Sequence, residues 1–161
     1  MLDLYIVRHA KTTQEMSGIQ DWERPLLEEG IRRANKVAGI LKKKNVLPGK
    51  IISSHAVRAL STAMIFAINL GYPADKIEIS QSVYGKTPET VFNLIKKQGK
   101  DITSLMIFGH NPTFTDLCNL LTGDFLAHLS TSAVACLQFE AENWAKIQTK
   151  KGQILFLETG K

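Results

Sequence analysis

Two arginines and two histidines carry the chemistry this chain offers. Arg8-His9 follows directly on the short, largely apolar run from Leu2 to Val7, Arg58 comes just after a second such run, and His110 just after another. Each run reads as a strand, and in open α/β sheets ligands bind at the carboxyl ends of strands. Arginine presents a planar fork that matches phosphate oxygens two at a time. An imidazole can attack phosphorus and divide hydrolysis into two easier steps. Arg58 and His110 also stand at the starts of helical patterns, where free N–H groups and the helix dipole favour phosphate. A lone histidine after a strand is usually structural. Three such segments meeting at one sheet edge are a constellation, and they point to phosphoryl transfer with histidine as nucleophile.

The elements that must position these residues alternate. Leu26 to Lys44 has Ile31, Ala34, Ala38 and Leu41 at helical spacing, with Glu28 and Glu29 early and three lysines late, as the macrodipole favours. Pro48-Gly49 breaks the chain before the buried strand Lys50–Ser53. Val57, Leu60, Met64 and Ile68 mark a second helix ended by Gly71 and Pro73, and Ile77-Glu78-Ile79 reads as a strand. Thr87-Pro88-Glu89 opens a third helix, with threonine as cap and proline in first position, and Gly99 closes it. Leu105–Phe108 is a strand. Thr113 is expected to cap a fourth helix, with Asp116 as its capping-box partner and Gly123 at its end. The pattern then changes to a hairpin: Ala133–Phe139, a turn near Glu142-Asn143, and Trp144–Thr149, with Gln153–Leu157 a further strand or a docked tail. The prediction is a three-layer α/β/α fold with a mainly parallel sheet of about six strands and an antiparallel C-terminal hairpin.

Bulk properties exclude several classes. The 161 residues suit a single domain, 1–161, with no internal repeat or linker. A net charge of +5 is mild, and the lysines gather at helix ends rather than on a basic face interleaved with aromatics, so nucleic acid is not an expected partner. No apolar stretch is long enough to span a membrane, and the N-terminal run is strand length and ends in Arg-His, so it does not read as a signal peptide. Cys118 and Cys136 lie in apolar stretches without a C-x-x-C spacing and are expected as free thiols of a cytoplasmic protein. His9 and His110 have no metal-site spacing and no supporting acid cluster, so neither a metal nor a cofactor is expected. Gly85-Lys86-Thr87 imitates the end of a P-loop, but the earlier glycine is Ser80. His55 and His128 are expected at the surface or behind the site, and Trp22 and Tyr84 in packing roles rather than at its rim.

Leu4-Tyr5-Ile6-Val7-Arg8-His9-Ala10 resembles the Arg-His-Gly signature of the histidine phosphatase (phosphoglycerate-mutase-like) superfamily. Ser53 to Ala63 is similar to that family's second motif, with its phosphate-binding arginine, and Gly109-His110-Asn111-Pro112 to its third. Arg8-His9-Ala10-Lys11-Thr12, Glu23-Arg24-Pro25-Leu26 and Thr131-Ser132-Ala133 narrow the resemblance to the compact SixA-type phosphohistidine phosphatases, over Leu2 to about Trp144. The resemblance implies a metal-independent phosphatase in which His9 takes the phosphoryl group while Arg8, Arg58 and an imidazolium His110 bind its oxygens. It also implies that Arg24 and Asn111 contact the substrate.

Two departures accompany it. Ala10 stands where the family usually has glycine, so the backbone there cannot need a glycine-only conformation. Larger members carry a leaving-group acid on an insertion after the third strand. Here only Ser80 to Thr87 lies there, no lid is expected, and Glu89 is the nearest candidate acid, equally suited to serving the helix dipole. The favoured substrate is therefore phosphohistidine in a protein. The rivals are a phosphatase of small phosphomonoesters, such as sugar or nucleotide phosphates, and a non-catalytic phosphate- or phosphopeptide-binding module.

Overall fold

The computed structural model describes residues 1–161. Its strands are β1 (Leu2–Arg8), β2 (Lys50–Ser53), β3 (Glu78–Ile79), β4 (Ser104–Gly109), β5 (Val134–Phe139) and β6 (Gln153–Glu158). The helices are α1 (Glu28–Lys43), α2 (Val57–Leu70), α3 (Pro88–Lys96) and α4 (Thr113–Thr122). The six strands form one sheet in the order β3-β2-β4-β1-β5-β6. β3, β2, β4 and β1 run parallel, and β5 and β6 close the other side with antiparallel pairings.

Side chains alternate across each strand, so the central strands feed two separate cores. Leu4, Ile6, Leu105 and Ile107 face α3 and α4, where Val91, Ile95, Leu117 and Leu121 meet them. Tyr5, Val7, Met106 and Phe108 face α1 and α2, against Ala34, Val37, Ala38, Leu41, Phe66 and Ala67. These are the three layers expected. No helix is long and apolar enough to cross a membrane.

The buried face of α2 differs from the one its large apolar residues suggest. Met64 and Ile68 are exposed, as is Ile31 on α1, whereas Ala59, Ala63, Phe66 and Ala67 are buried. Alanines on the inner face let the helix lie close to the sheet, and the larger residues are left outside.

The C-terminal hairpin also differs. The strand expected at Trp144–Thr149 is instead a 3-10 turn over Trp144–Lys146, and β5 pairs with β6. Trp144 and Ile147, three residues apart, are both buried, a helical spacing that an alternating strand would not give. The Trp144 Nε1–H donates to the Ile102 carbonyl, anchoring the turn under the α3–α4 layer.

Candidate active site

Strand register assembles the site. Arg8 pairs with Gly109, and Ser53 pairs with Phe108, so β1, β2 and β4 end at one level. Hydrogen bonds of the sheet continue one residue further: the His9 N–H donates to Gly109 O at 3.1 Å, and the Ser54 N–H to Phe108 O at 3.0 Å. His9, His110 and the Ser54–Arg58 turn are thereby neighbours. Gly109 is needed because a Cβ there would strike the Phe114 ring at 2.5 Å. That phenyl group, on the first turn of α4, holds the strand end carrying His110.

His9 and His110 are both buried, with ring centroids 5.2 Å apart. His9 Nδ1 lies 2.7 Å from the Ala10 carbonyl oxygen, which can only accept, so Nδ1 carries the proton and Nε2 keeps its lone pair. Burial, aided by the charges of Arg58, Arg8 and Arg24, pushes His9 down to about 4. At neutral pH it is an uncharged imidazole. Burial, then the neighbouring His9 and Arg58, pushes His110 down to about 3, away from the imidazolium expected of it. Its Nε2 lies 2.9 Å from Ser54 Oγ. That hydroxyl already accepts from the Ala56 N–H and has its own proton to give.

Both arginines are held at one end. Arg8 Nη1 donates to Leu129 O and lies 3.2 Å from His128 Nε2. Arg58, buried on the first turn of α2, donates through Nη1 to the Asp21 carbonyl at 2.8 Å and through Nη2 to Asp21 Oδ2 at 2.9 Å. The Nε atoms of Arg8 and Arg58 and the Nδ1 of His110 are buried with no hydrogen-bond partner. Unpaired buried polar nitrogens are costly, and three of them beside one histidine suit an oxyanion.

Asp21 gave no signal of this role in the sequence beyond its spacing three residues before Arg24. Its carboxylate also accepts from Arg24 Nε and Nη2 and, at 2.7 Å, from the Tyr84 hydroxyl. Burial opposes its ionisation, but hydrogen bonds from Tyr84, Arg58 and Arg24 outweigh that and hold it well below the usual carboxylate range. Tyr84 stands edge-on to His110 at 5.2 Å and to His55 at 4.6 Å, so it borders the site rather than merely packing. Trp22, 43% exposed, continues this aromatic row beyond His55.

Arg24 reaches the cluster through Asp21, with Nη1 tied to Thr13 O. Asn111 is a strut: Oδ1 accepts from the Thr115 N–H and hydroxyl, and Nδ2 donates to Leu129 O. It thereby does what was expected of Thr113, which begins α4 without capping it and instead donates its hydroxyl proton to Lys86 O. On α3 Thr87 does cap, accepting from the Thr90 N–H. Glu89, in that first turn, is exposed and bonded to none of the site residues. Ala10 is buried, and its N–H donates to Thr62 Oγ1, a contact that needs no glycine. Cys118 and Cys136 are free and buried, with both thiols pushed up to about 12 by burial. No three His, Cys, Asp or Glu side chains converge as metal ligands would.

Residues 4–81 match the model of the histidine phosphatase superfamily, branch 1. An uncharacterised protein of Mycobacterium tuberculosis is 32% identical over 152 residues, covering 88% of this chain and 92% of that protein. The crystal structure of a protein from Agrobacterium tumefaciens, assigned as the phosphohistidine phosphatase SixA, superposes with a TM-score of 0.82 at 25% identity, over 98% of this chain and 97% of that one. The protein histidine phosphatase SixA complexed with tungstate gives 0.84 at 20% identity, over 99% and 97%. A mycobacterial glucosyl-3-phosphoglycerate phosphatase shares the fold at 0.68 and 16% identity, over 96% and 98%.

Proposed function

Because this chain belongs to the histidine phosphatase superfamily, and is a phosphatase, we propose that it hydrolyses phosphohistidine in a protein through a covalent intermediate on His9. The observation that carries this reading is the set of buried, unpartnered nitrogens (Arg8 Nε, Arg58 Nε and His110 Nδ1) on the residues whose charge or ring acts on His9, an imidazole whose own proton is committed to Ala10 O. Phosphoryl transfer is mostly positioning plus charge stabilisation, and those three nitrogens supply both.

In the first step the His9 Nε2 lone pair forms a bond to phosphorus. The bond from phosphorus to the substrate nitrogen breaks, and its electron pair returns to that nitrogen. The substrate ring, protonated at its other nitrogen, leaves as neutral imidazole. Water then attacks phospho-His9, giving inorganic phosphate and restoring the neutral ring. The three nitrogens hold the equatorial oxygens throughout. With the Ser54 hydroxyl donating to His110 Nε2, the His110 proton sits on Nδ1 and points at the anion. A phosphoryl dianion beside that ring favours its charged form, countering the downward push of burial.

The leaving group decides between this reading and a small-molecule one. An alkoxide is a poor leaving group and needs a proton donor, whereas Glu89 is exposed and unattached to the site. The loop from Ser80 to Thr87 is short, and β3 passes through it directly to α3. Residues 1–161 then act as one lidless domain in the cytoplasm, open to a side chain on a protein surface, with no metal, nucleic acid or membrane required. The experiment is a substrate panel of phosphohistidine peptide, acyl phosphate and sugar phosphate, in excess chelator. We expect kcat/KM for phosphohistidine to exceed that for the sugar phosphate by at least about 10², the lower end of what general acid catalysis supplies. A better rate on the sugar phosphate would favour small phosphomonoesters, and no turnover of any of them a non-catalytic binding module.

A further inference from the structure

Arg58 is gripped from outside by a carboxylate that the chemistry above does not use. Guanidinium carries five N–H donors, on Nε, Nη1 and Nη2. Asp21 takes one from Nη1 with its backbone oxygen and one from Nη2 with its side chain, while Nε is left buried and unpaired. The carboxylate is itself fully engaged. Oδ1 accepts twice from Arg24, and Oδ2 accepts from Arg58 and Tyr84. A carboxylate offers about four acceptor positions, so none remains for a substrate. Asp21 is therefore neither a proton donor nor a direct ligand.

Its surroundings make it a rigid hub. The 3-10 turn over Asp21–Glu23 is closed by reciprocal hydrogen bonds between Gln20 and Glu23. Its flanks are tied together where Thr12 bridges Leu26 and where the Thr13 N–H donates to Pro25 O. Tyr84, on the loop before α3, adds its hydroxyl to the same carboxylate. Fixing a guanidinium by its Nη1/Nη2 end leaves the Nε–H and the second N–H of each Nη unclaimed by Asp21, in an orientation the turn has already set. A free arginine would instead seize a tetrahedral phosphate with whichever pair of N–H groups fits best.

We propose that Asp21 is the positioning residue that keeps the Nη1/Nη2 end of Arg58 from gripping ground-state phosphate and presents the Nε edge to the transition state. The proposal rests on Arg58 being a phosphoryl ligand. Interactions that are stronger in the transition state than in the ground state raise kcat, whereas uniform binding lowers KM without raising kcat. Holding the guanidinium in one orientation serves the first, and the Asp21 charge behind the cation weakens the binding of any anion the cation receives. Over about 8 Å at an effective dielectric of about 40, that repulsion weakens anion binding roughly fivefold for each unit of charge on the anion.

The test uses the full-length protein, with Asp21→Asn, Asp21→Ala, Asp21→Glu and Tyr84→Phe measured beside wild type. The readouts are kcat on an aryl phosphate and inhibition constants for tungstate and inorganic phosphate. Asp21→Asn and Asp21→Ala should lower kcat at least about tenfold, part of the scale for losing one preorganised donor. They should also tighten tungstate and phosphate inhibition by at least about fivefold. Asp21→Glu should recover part of the lost turnover, and Tyr84→Phe should shift both quantities the same way by less. The opposed changes are the signature, since loosened folding would weaken inhibition and turnover together. An unchanged kcat in Asp21→Ala would overturn the proposal, and so would inhibition that weakens in step with kcat. A wild-type protein that turns over nothing would instead refute the phosphatase reading.

Discussion

Acidification should destabilise this protein through its two buried imidazoles, His9 and His110. His9 is buried and pushed down to about 4 from an ordinary value of 6.5, by burial first and then by Arg58, Arg8 and Arg24. Above about pH 6.5 it is neutral in both the folded and unfolded chain, and pH has no leverage on it. Between about pH 6.5 and about pH 4 the unfolded chain takes up a proton that folded His9 refuses, so stability falls. Below about pH 4 both forms are protonated and the loss levels off. At about pH 5.5 the medium is one unit below the ordinary value, so the penalty is on the order of 1 kcal/mol. The assay is urea unfolding followed by tryptophan fluorescence, at about pH 7.5 and about pH 5.5, for wild type and His9→Gln. Wild type should lose on the order of 1 kcal/mol more than the variant across that interval. His110→Gln should show the same saving, since His110 is pushed down in the same direction. Equal losses in wild type and His9→Gln would mean that His9 titrates normally. An imidazole poised as nucleophile by burial would then be ruled out.

Arg8→Ala and Arg58→Ala should each lower turnover by about 10²–10³, the scale for one preorganised stabiliser of transition-state charge. Lysine at either position should restore only part of it, because a point charge cannot reproduce the fork; steady-state kinetics decide. Glu89→Gln should change the phosphohistidine rate by less than about tenfold, and abolition of activity would make Glu89 a true acid. Trp144→Ala should cost about 3–5 kcal/mol in thermal or chemical unfolding, as expected for a fully buried tryptophan. A near-neutral result there would contradict its place in the core.

The site was legible where chemistry is attached to a strand end. β1, β2 and β4 are largely apolar, as two-sided burial in a parallel sheet requires, and each ends beside Arg8-His9, the Arg58 turn or His110. Legibility failed where distant contacts override local pattern. Trp144 and Ile147 have strand-forming side chains, but the underside of α3 and α4 offered them a pocket that a turn could fill. On α2 the large residues suggested the buried face, yet close approach to the sheet selected the alanines. Asp21 lies 37 residues before its partner Arg58, and no local rule links them. Asn111, next to His110 in sequence, also braces α4, because the free N–H groups of that first turn need acceptors.

The central claim is a phosphoryl group on His9, and a rapid-quench experiment tests it most directly. Enzyme mixed with phosphohistidine peptide labelled in its phosphoryl group would be stopped in alkali within the first turnover, digested and read by mass spectrometry. The label should sit on His9, survive alkali, disappear in acid, and be missing from His9→Ala. Label on a serine or an aspartate, or undiminished turnover by His9→Ala, would contradict it.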